Sequence, residues 1–196
     1  MSYMLHLKLA ADPRWVDVAA MNIEDILTDH AYCEMKAATT CISLINTFPE
    51  KTKLVEEVMP VVTEEWGHFR QVVKELNKRG FQLGKQRKDD YVNQLIAFAK
   101  KGGSREDYLL EKLLISALIE ARSCERFKVL SQNIKDDYLK DFYRKFMESE
   151  AGHYTMFMNL AMYYCDEQKV RQRWKEYIEY ETTLMRNWKM RSDRIH

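Results

Sequence analysis

Two stretches of this chain carry the same pair of residues at the same spacing, Glu65-Trp66-Gly67-His68 and Glu150-Ala151-Gly152-His153. Residues three apart on an α-helix share one face, so each pair presents a carboxylate and an imidazole together, one turn apart. Two such pairs are the two halves of a di-metal site built inside a helix bundle, to which each of two further helices adds one inward-pointing Glu. The chain holds both: Glu34 stands 31 residues before Glu65, and Glu120 stands 30 before Glu150. Matching members of the halves lie 85 or 86 residues apart, so the six candidate ligands Glu34, Glu65, His68, Glu120, Glu150 and His153 form an internal repeat.

All four Glu sit in apolar or small-residue helix faces. In steps of three, four and seven, Glu34 has Leu27, Ala31, Ala37, Ala38 and Cys41 as neighbours, and Glu120 has Leu113, Ala117, Cys124 and Phe127. Glu65 is flanked by Val58, Val61, Phe69 and Val72, and Glu150 by Tyr143, Phe146, Tyr154 and Phe157. A carboxylate on the core side is costly unless a partner or a metal compensates it, which favours a metal site over coincidental core ion pairs. At about 100° per residue, Glu64, Glu125 and Glu148 point well away from the ligand directions and are expected in supporting or surface roles. Asp193-x-x-His196 has ligand-like spacing but no repeat partner, and is expected to be a frayed end.

The long spacings require long helices. With 6 Gly and 3 Pro in 196 residues, 46% of them hydrophobic and 31% charged, the composition agrees, and residues 1–196 are expected to form a single domain. A helix is expected from about 15 to 46, ended by Phe48-Pro49, and a second from about 50 to 79, kinked at Pro60 and stopped by Gly80. Residues 81–104 are read as a crossover with a short helix around 91–101. Ser104-Arg105-Glu106-Asp107 opens a third helix with a capping box, and Asp136-Asp137 suits the positive end of a fourth, from about 136 to 164. A further helical segment, from about 167 to 190, should pack outside, and residues 1–12 should form an arm. The expected fold is all-α: a four-helix bundle with a crossover between its helix pairs and an extra C-terminal helix.

No basic stretch precedes an apolar run at the N-terminus, no stretch approaches a membrane span, and the four Cys form no Cys-x-x-Cys pair. Reduced thiols and a cytoplasmic location without membrane attachment are therefore expected. Four carboxylates and two imidazoles make a hard, oxygen-rich donor set that suits iron or manganese rather than thiolate-held zinc. The small residues beside Glu34 and Glu120 leave room for an organic substrate, or simply let helices approach. An oxygenase and a tighter oxidase or peroxidase acting on iron or peroxide both stay open on this ground, as does a metal-free helical interaction module.

Four runs carry a more specific likeness: Asp29-His30-Ala31-Tyr32-Cys33-Glu34 with Lys36-Ala37-Ala38, Glu65-x-x-His68-Phe69, Ile119-Glu120-Ala121-Arg122-Ser123-Cys124-Glu125-Arg126-Phe127, and Ser149-Glu150-Ala151-x-His153. Together they resemble the four helix motifs of the MiaE family of tRNA hydroxylases, within the ferritin-like di-iron proteins, over about residues 12–165. The resemblance implies a mono-oxygenase that hydroxylates the isopentenyl group of 2-methylthio-N-isopentenyladenosine beside the tRNA anticodon. It further implies two iron ions on the six residues named above, dioxygen as co-substrate, and two electrons from an external donor such as a reductase. The alternative is a ferritin-like di-iron oxidase or peroxidase, ferroxidase-like or rubrerythrin-like, that does not act on RNA. Between Arg70 and Arg105 ten Lys or Arg face three acids, in a chain whose net charge is only +1. Such a basic stretch is either a solvated helix end or, as the resemblance implies, the surface that docks the anticodon loop.

Overall fold

The computed structural model describes residues 4–12, 14–188 and 193–195. Among these the chain forms seven α-helices and no strand: α1 Arg14–Ala20, α2 Ile23–Thr47, α3 Thr52–Lys78, α4 Asp90–Phe98, α5 Arg105–Asn133, α6 Asp137–Tyr164 and α7 Glu167–Arg186. They pack as two compact units. Among the described residues, one comprises Asp17–Lys88 with 193–195, the other 4–12, 14–16 and 89–188.

The first unit is built on α2 packed against α3. The helix expected from residue 15 is interrupted at Met21 and Asn22, where Asn22 leaves helical geometry at φ −131° and its side-chain amide donates to the Val18 carbonyl. An Asn that bonds its own backbone competes with the helical hydrogen-bond ladder, and that local competition is invisible to apolar periodicity. Phe48 ends α2 as expected: its N–H donates to Leu44 and its ring is fully buried. Helix α3 continues through Pro60, which lies on its exposed side, and ends in a Schellman motif. There Gly80 adopts φ 79°, its N–H donates to Asn77, and the Phe81 N–H donates to Leu76. Residues 193–195 are tied down rather than frayed. The Ile195 N–H donates to Asp29 at 2.8 Å, and Arg87 pairs with both Asp25 and Asp193. His196, like residues 1–3, Pro13 and the expected helix end at 189–190, lies outside the described residues.

In the second unit α5 packs along α6, and α7 lies on both. The expected capping box is present: Ser104 Oγ accepts from the Asp107 N–H at 3.1 Å, and Asp107 accepts from the Ser104 N–H at 2.9 Å. Asp136 and Asp166 cap α6 and α7 in the same sense. Helix α7 is fastened to α5 by two buried ion pairs of opposite polarity. Arg173 grips Glu111 through two hydrogen bonds of 2.7 and 2.9 Å, and Glu181 accepts from Arg122 Nε at 2.9 Å. Arg122, fully buried, also reaches Glu125 and the Leu9 carbonyl, while Glu125 accepts the Ala11 N–H at 2.7 Å. Burial disfavours the Arg122 charge, but Glu181 and Glu125 outweigh it and hold the guanidinium above its ordinary pKa. Arg126 lies 4.4 Å above the Trp15 ring, and burial draws it down to about 10. The run Arg122-Ser123-Cys124-Glu125-Arg126 thus clamps the N-terminal arm and α7 onto α5.

Breaking a buried pair on one side leaves a charge without compensation. Arg173→Met is expected to lower stability by about 3–5 kcal/mol, and Glu111→Leu in the same chain to restore much of the loss, as read from denaturant midpoints. Equal midpoints for Arg173→Met and the unaltered chain would show that the pair does not hold α7.

Candidate metal centre

In the α2–α3 unit the helical periods that bury Leu27, Ala31 and Ala38 on α2, and Val58, Val61 and Val72 on α3, also bury Glu34, Glu65 and His68. Glu34 is 2% exposed and Glu65 1%. His68 Nδ1 stands 3.4 Å from Glu34 and 3.6 Å from Glu65, and the ligand atoms of all three lie within 4.8 Å of one another. Burial raises the Glu34 pKa well above the ordinary range, and the neighbouring Glu65 charge raises it further. Burial opposes a charge on His68, yet hydrogen bonds and charge from Glu34 and Glu65 outweigh it and lift its pKa to about 10. Two acids forced together thus favour a cation between them, or a proton on one of their number.

The α5–α6 part of the other unit has the same composition. Glu120 on α5, and Glu150 and His153 on α6, are all buried, with ligand atoms within 4.8 Å of one another and His153 Nδ1 4.0 Å from Glu150. Beside them Cys124 donates its thiol to the Met147 carbonyl, and burial pushes that thiol up to about 12. Such a thiol is a packing group rather than a ligand at neutral pH. Each unit therefore gathers two Glu and one His, as the repeat requires.

The residues present fit iron. Each trio offers hard oxygen and imidazole donors from rigid helices, and the mutual repulsion of its buried carboxylates is relieved by a divalent cation. His30, which helical spacing puts on the face of Glu34, adds a hydrogen bond that spacing alone did not assign. It is fully buried on α2, one turn before Glu34, and its Nε2 lies 2.6 Å from the Glu34 carboxylate. Such a hydrogen bond orients a ligating carboxylate. The repeat position before Glu120 is Ser116, so the two trios differ in their support. The signal available in the sequence was a His four residues before a ligand, on the same helical face. Of the Glu set aside by angle, Glu148 is exposed and pairs with Arg144, and Glu64 lies 3.9 Å from His68 at the surface. Glu125 departs from the surface role: it is buried in the Arg122 cluster.

Comparison with known proteins agrees with this geometry. The family model tRNA-(MS[2]IO[6]A)-hydroxylase (MiaE) matches residues 2–196. The tRNA 2-(methylsulfanyl)-N(6)-isopentenyladenosine(37) hydroxylase of Pseudomonas putida is 35% identical over 153 residues, 78% of this chain and 73% of that protein. The enzyme of the same name from Salmonella typhimurium is 26% identical over 187 residues, 71% of this chain and 68% of that protein. Among solved structures, a Synechococcus protein with aldehyde deformylating oxygenase activity superposes with a TM-score of 0.91 at 28% identity, covering 97% of this chain and 94% of that one. The fold is all-α and ferritin-like, as the sequence led us to expect. With a family model spanning nearly the whole chain and relatives of one activity, this chain belongs to the MiaE family of tRNA hydroxylases.

Proposed function

We propose that the chain hydroxylates the isopentenyl group of 2-methylthio-N-isopentenyladenosine in tRNA, with Glu34, Glu65, His68, Glu120, Glu150 and His153 as the ligands of two iron ions. The observation that carries this is the repeated trio of two buried Glu and one His, once in each compact unit, in a chain of this family. Residues 1–196 are taken in this proposal as one functional domain. Iron bound there supplies dioxygen activation, with two electrons from an external donor such as a reductase. The protein's own part is to hold and orient the ligands, to keep water out and to admit the substrate. His30 holds Glu34 in place. Ala31, Ala38 and Cys41, small and buried on the face of α2 that carries Glu34, support an apolar pocket for a branched five-carbon group there.

The docking surface is narrower than the basic stretch from Arg70 to Arg105. Arg87 is committed to Asp25 and Asp193, Lys78 and Arg79 lie against Glu75, and Lys100 pairs with Glu176. Arg70, Lys74 and Lys85 are exposed. One turn before Arg70, Trp66 is 48% exposed and stacks on Phe69 at 4.9 Å between ring centroids. An exposed aromatic pair with cations beside it, on the helix that carries Glu65 and His68, suits an unpaired loop base and its phosphates. No helix among the described residues is long and apolar enough to cross a membrane. We place the protein in the cytoplasm with its tRNA.

Three outcomes test this reading. His68→Ala and His153→Ala are each expected to lower iron content, measured by elemental analysis, and to abolish hydroxylation. His30→Ala should weaken iron binding about 10- to 100-fold, as loss of an orienting group does. Full iron content and activity in both ligand variants would remove the assignment. Ala38→Phe should retain its iron and lose hydroxylation of tRNA; normal turnover in that variant would move the substrate pocket elsewhere. For docking, Arg70→Ala/Lys74→Ala/Lys85→Ala should weaken tRNA binding uniformly across sequences. Its log-log salt slope should flatten by roughly one unit for each phosphate the variant no longer neutralises, and Trp66→Ala should cost about 1–3 kcal/mol. Unchanged affinity and slope in both variants would put the tRNA on another face.

A further inference from the structure

The α5–α7 unit holds a second feature that hydroxylation does not use. A cavity of about 600 Å³ opens between the N-terminal arm, α6 and α7, within the size range of small-molecule sites. On α6 it is lined by Tyr154, one turn after Glu150, and by Met158 and Met162 further along that helix. Its charged lining is entirely basic: Lys8 from the arm, and Arg171 and Lys175 from α7. Arg171 pairs with Glu167 and Lys8 with Glu179 at 3.5 Å, but these are exposed pairs that exchange at little cost. The floor is aromatic, with Tyr154 and Trp174 tilted against each other at 5.9 Å between centroids.

Trp174 supplies the second and independent observation. It is 9% exposed, and its buried indole N–H has no acceptor among the described residues. A buried indole N–H normally finds a partner, because leaving it unmade costs about 1–3 kcal/mol. The cavity thus offers flat apolar walls with cations at its rim and no acid in its lining, with the indole N–H of Trp174 buried in its floor. A ligand that answers these has a planar ring and a negative charge a few ångströms away.

We propose that this cavity is a nucleotide site, taking a heteroaromatic base against Trp174 and Tyr154 and its phosphate on Lys8, Arg171 and Lys175. Two sources share that chemistry: a free nucleotide, such as a flavin or adenine nucleotide, and an unpaired nucleotide of an RNA loop. The site stands apart from hydroxylation, since binding to it is read without turnover.

The test is titration of the full chain with flavin mononucleotide, followed by its fluorescence, and with adenosine monophosphate, followed by calorimetry. Saturable binding of at least one is expected, weakened tenfold or more in Arg171→Ala/Lys175→Ala, whose exposed positions leave folding untouched. Trp174→Phe keeps an aromatic floor without the N–H and should weaken binding several-fold, and Met158→Trp should fill the cavity and abolish it. Displacement of the bound nucleotide by tRNA assigns the site to an RNA loop, and tRNA binding without displacement assigns it to a free nucleotide; the site holds in either case. Failure of both nucleotides to bind at millimolar concentration overturns the proposal. So does wild-type affinity in the Arg171→Ala/Lys175→Ala variant.

Discussion

Four carboxylates sit 1–6% exposed in this chain, at Glu34, Glu65, Glu120 and Glu150, and the rest of the structure is arranged around tolerating them. A buried carboxylate either takes up a proton or finds a cation, because its uncompensated charge is too costly in a low-dielectric interior. Beside Glu34 and Glu65, the hydrogen bonds and charge of both acids favour a proton on His68. Two long helices, α2 and α3, hold the acids together, and that closeness makes the trio a candidate metal site.

A second group of buried charges has a different purpose. Arg122 and Arg126 together offset Glu125 and Glu181 between α5 and α7, and Arg173 offsets Glu111. Each group balances in charge, so it calls for no further cation. The contrast between balanced clusters and acid-rich trios separates fastening from function in a chain where both are buried. It also explains why the run from Glu120 to Arg126 is so distinctive in sequence. One residue of it belongs to the candidate metal centre, and Arg122, Glu125 and Arg126 bolt the arm and the last long helix in place.

The burial and grouping of the six candidate ligands were legible because helical periodicity and an 85-residue repeat are one-dimensional signals, and both carried through to buried trios at Glu34/Glu65/His68 and Glu120/Glu150/His153. The caps at Ser104, Asp136 and Gly80 were legible for the same reason, each being a local rule. What escaped depended on long-range partners. Nothing near Arg87 or Arg173 in the sequence says that one answers Asp193, 106 residues away, and the other Glu111, 62 residues away. Arg87 was therefore counted as available basic surface. Glu125 was set aside by its angle to Glu120, which told where it points but not that Arg122 and the arm would be waiting there. The break at Asn22 was missed because an Asn inside an apolar period looks like any polar position until its side chain bonds the backbone.

The central claim is that the two trios act together as one di-iron centre. Mössbauer and electron paramagnetic resonance spectra of the chain loaded with iron and exposed to air test it most directly. Two ferric ions per chain, antiferromagnetically coupled and silent in paramagnetic resonance, are the predicted result. One iron per chain, or isolated high-spin ferric signals accounting for all the metal, would contradict it.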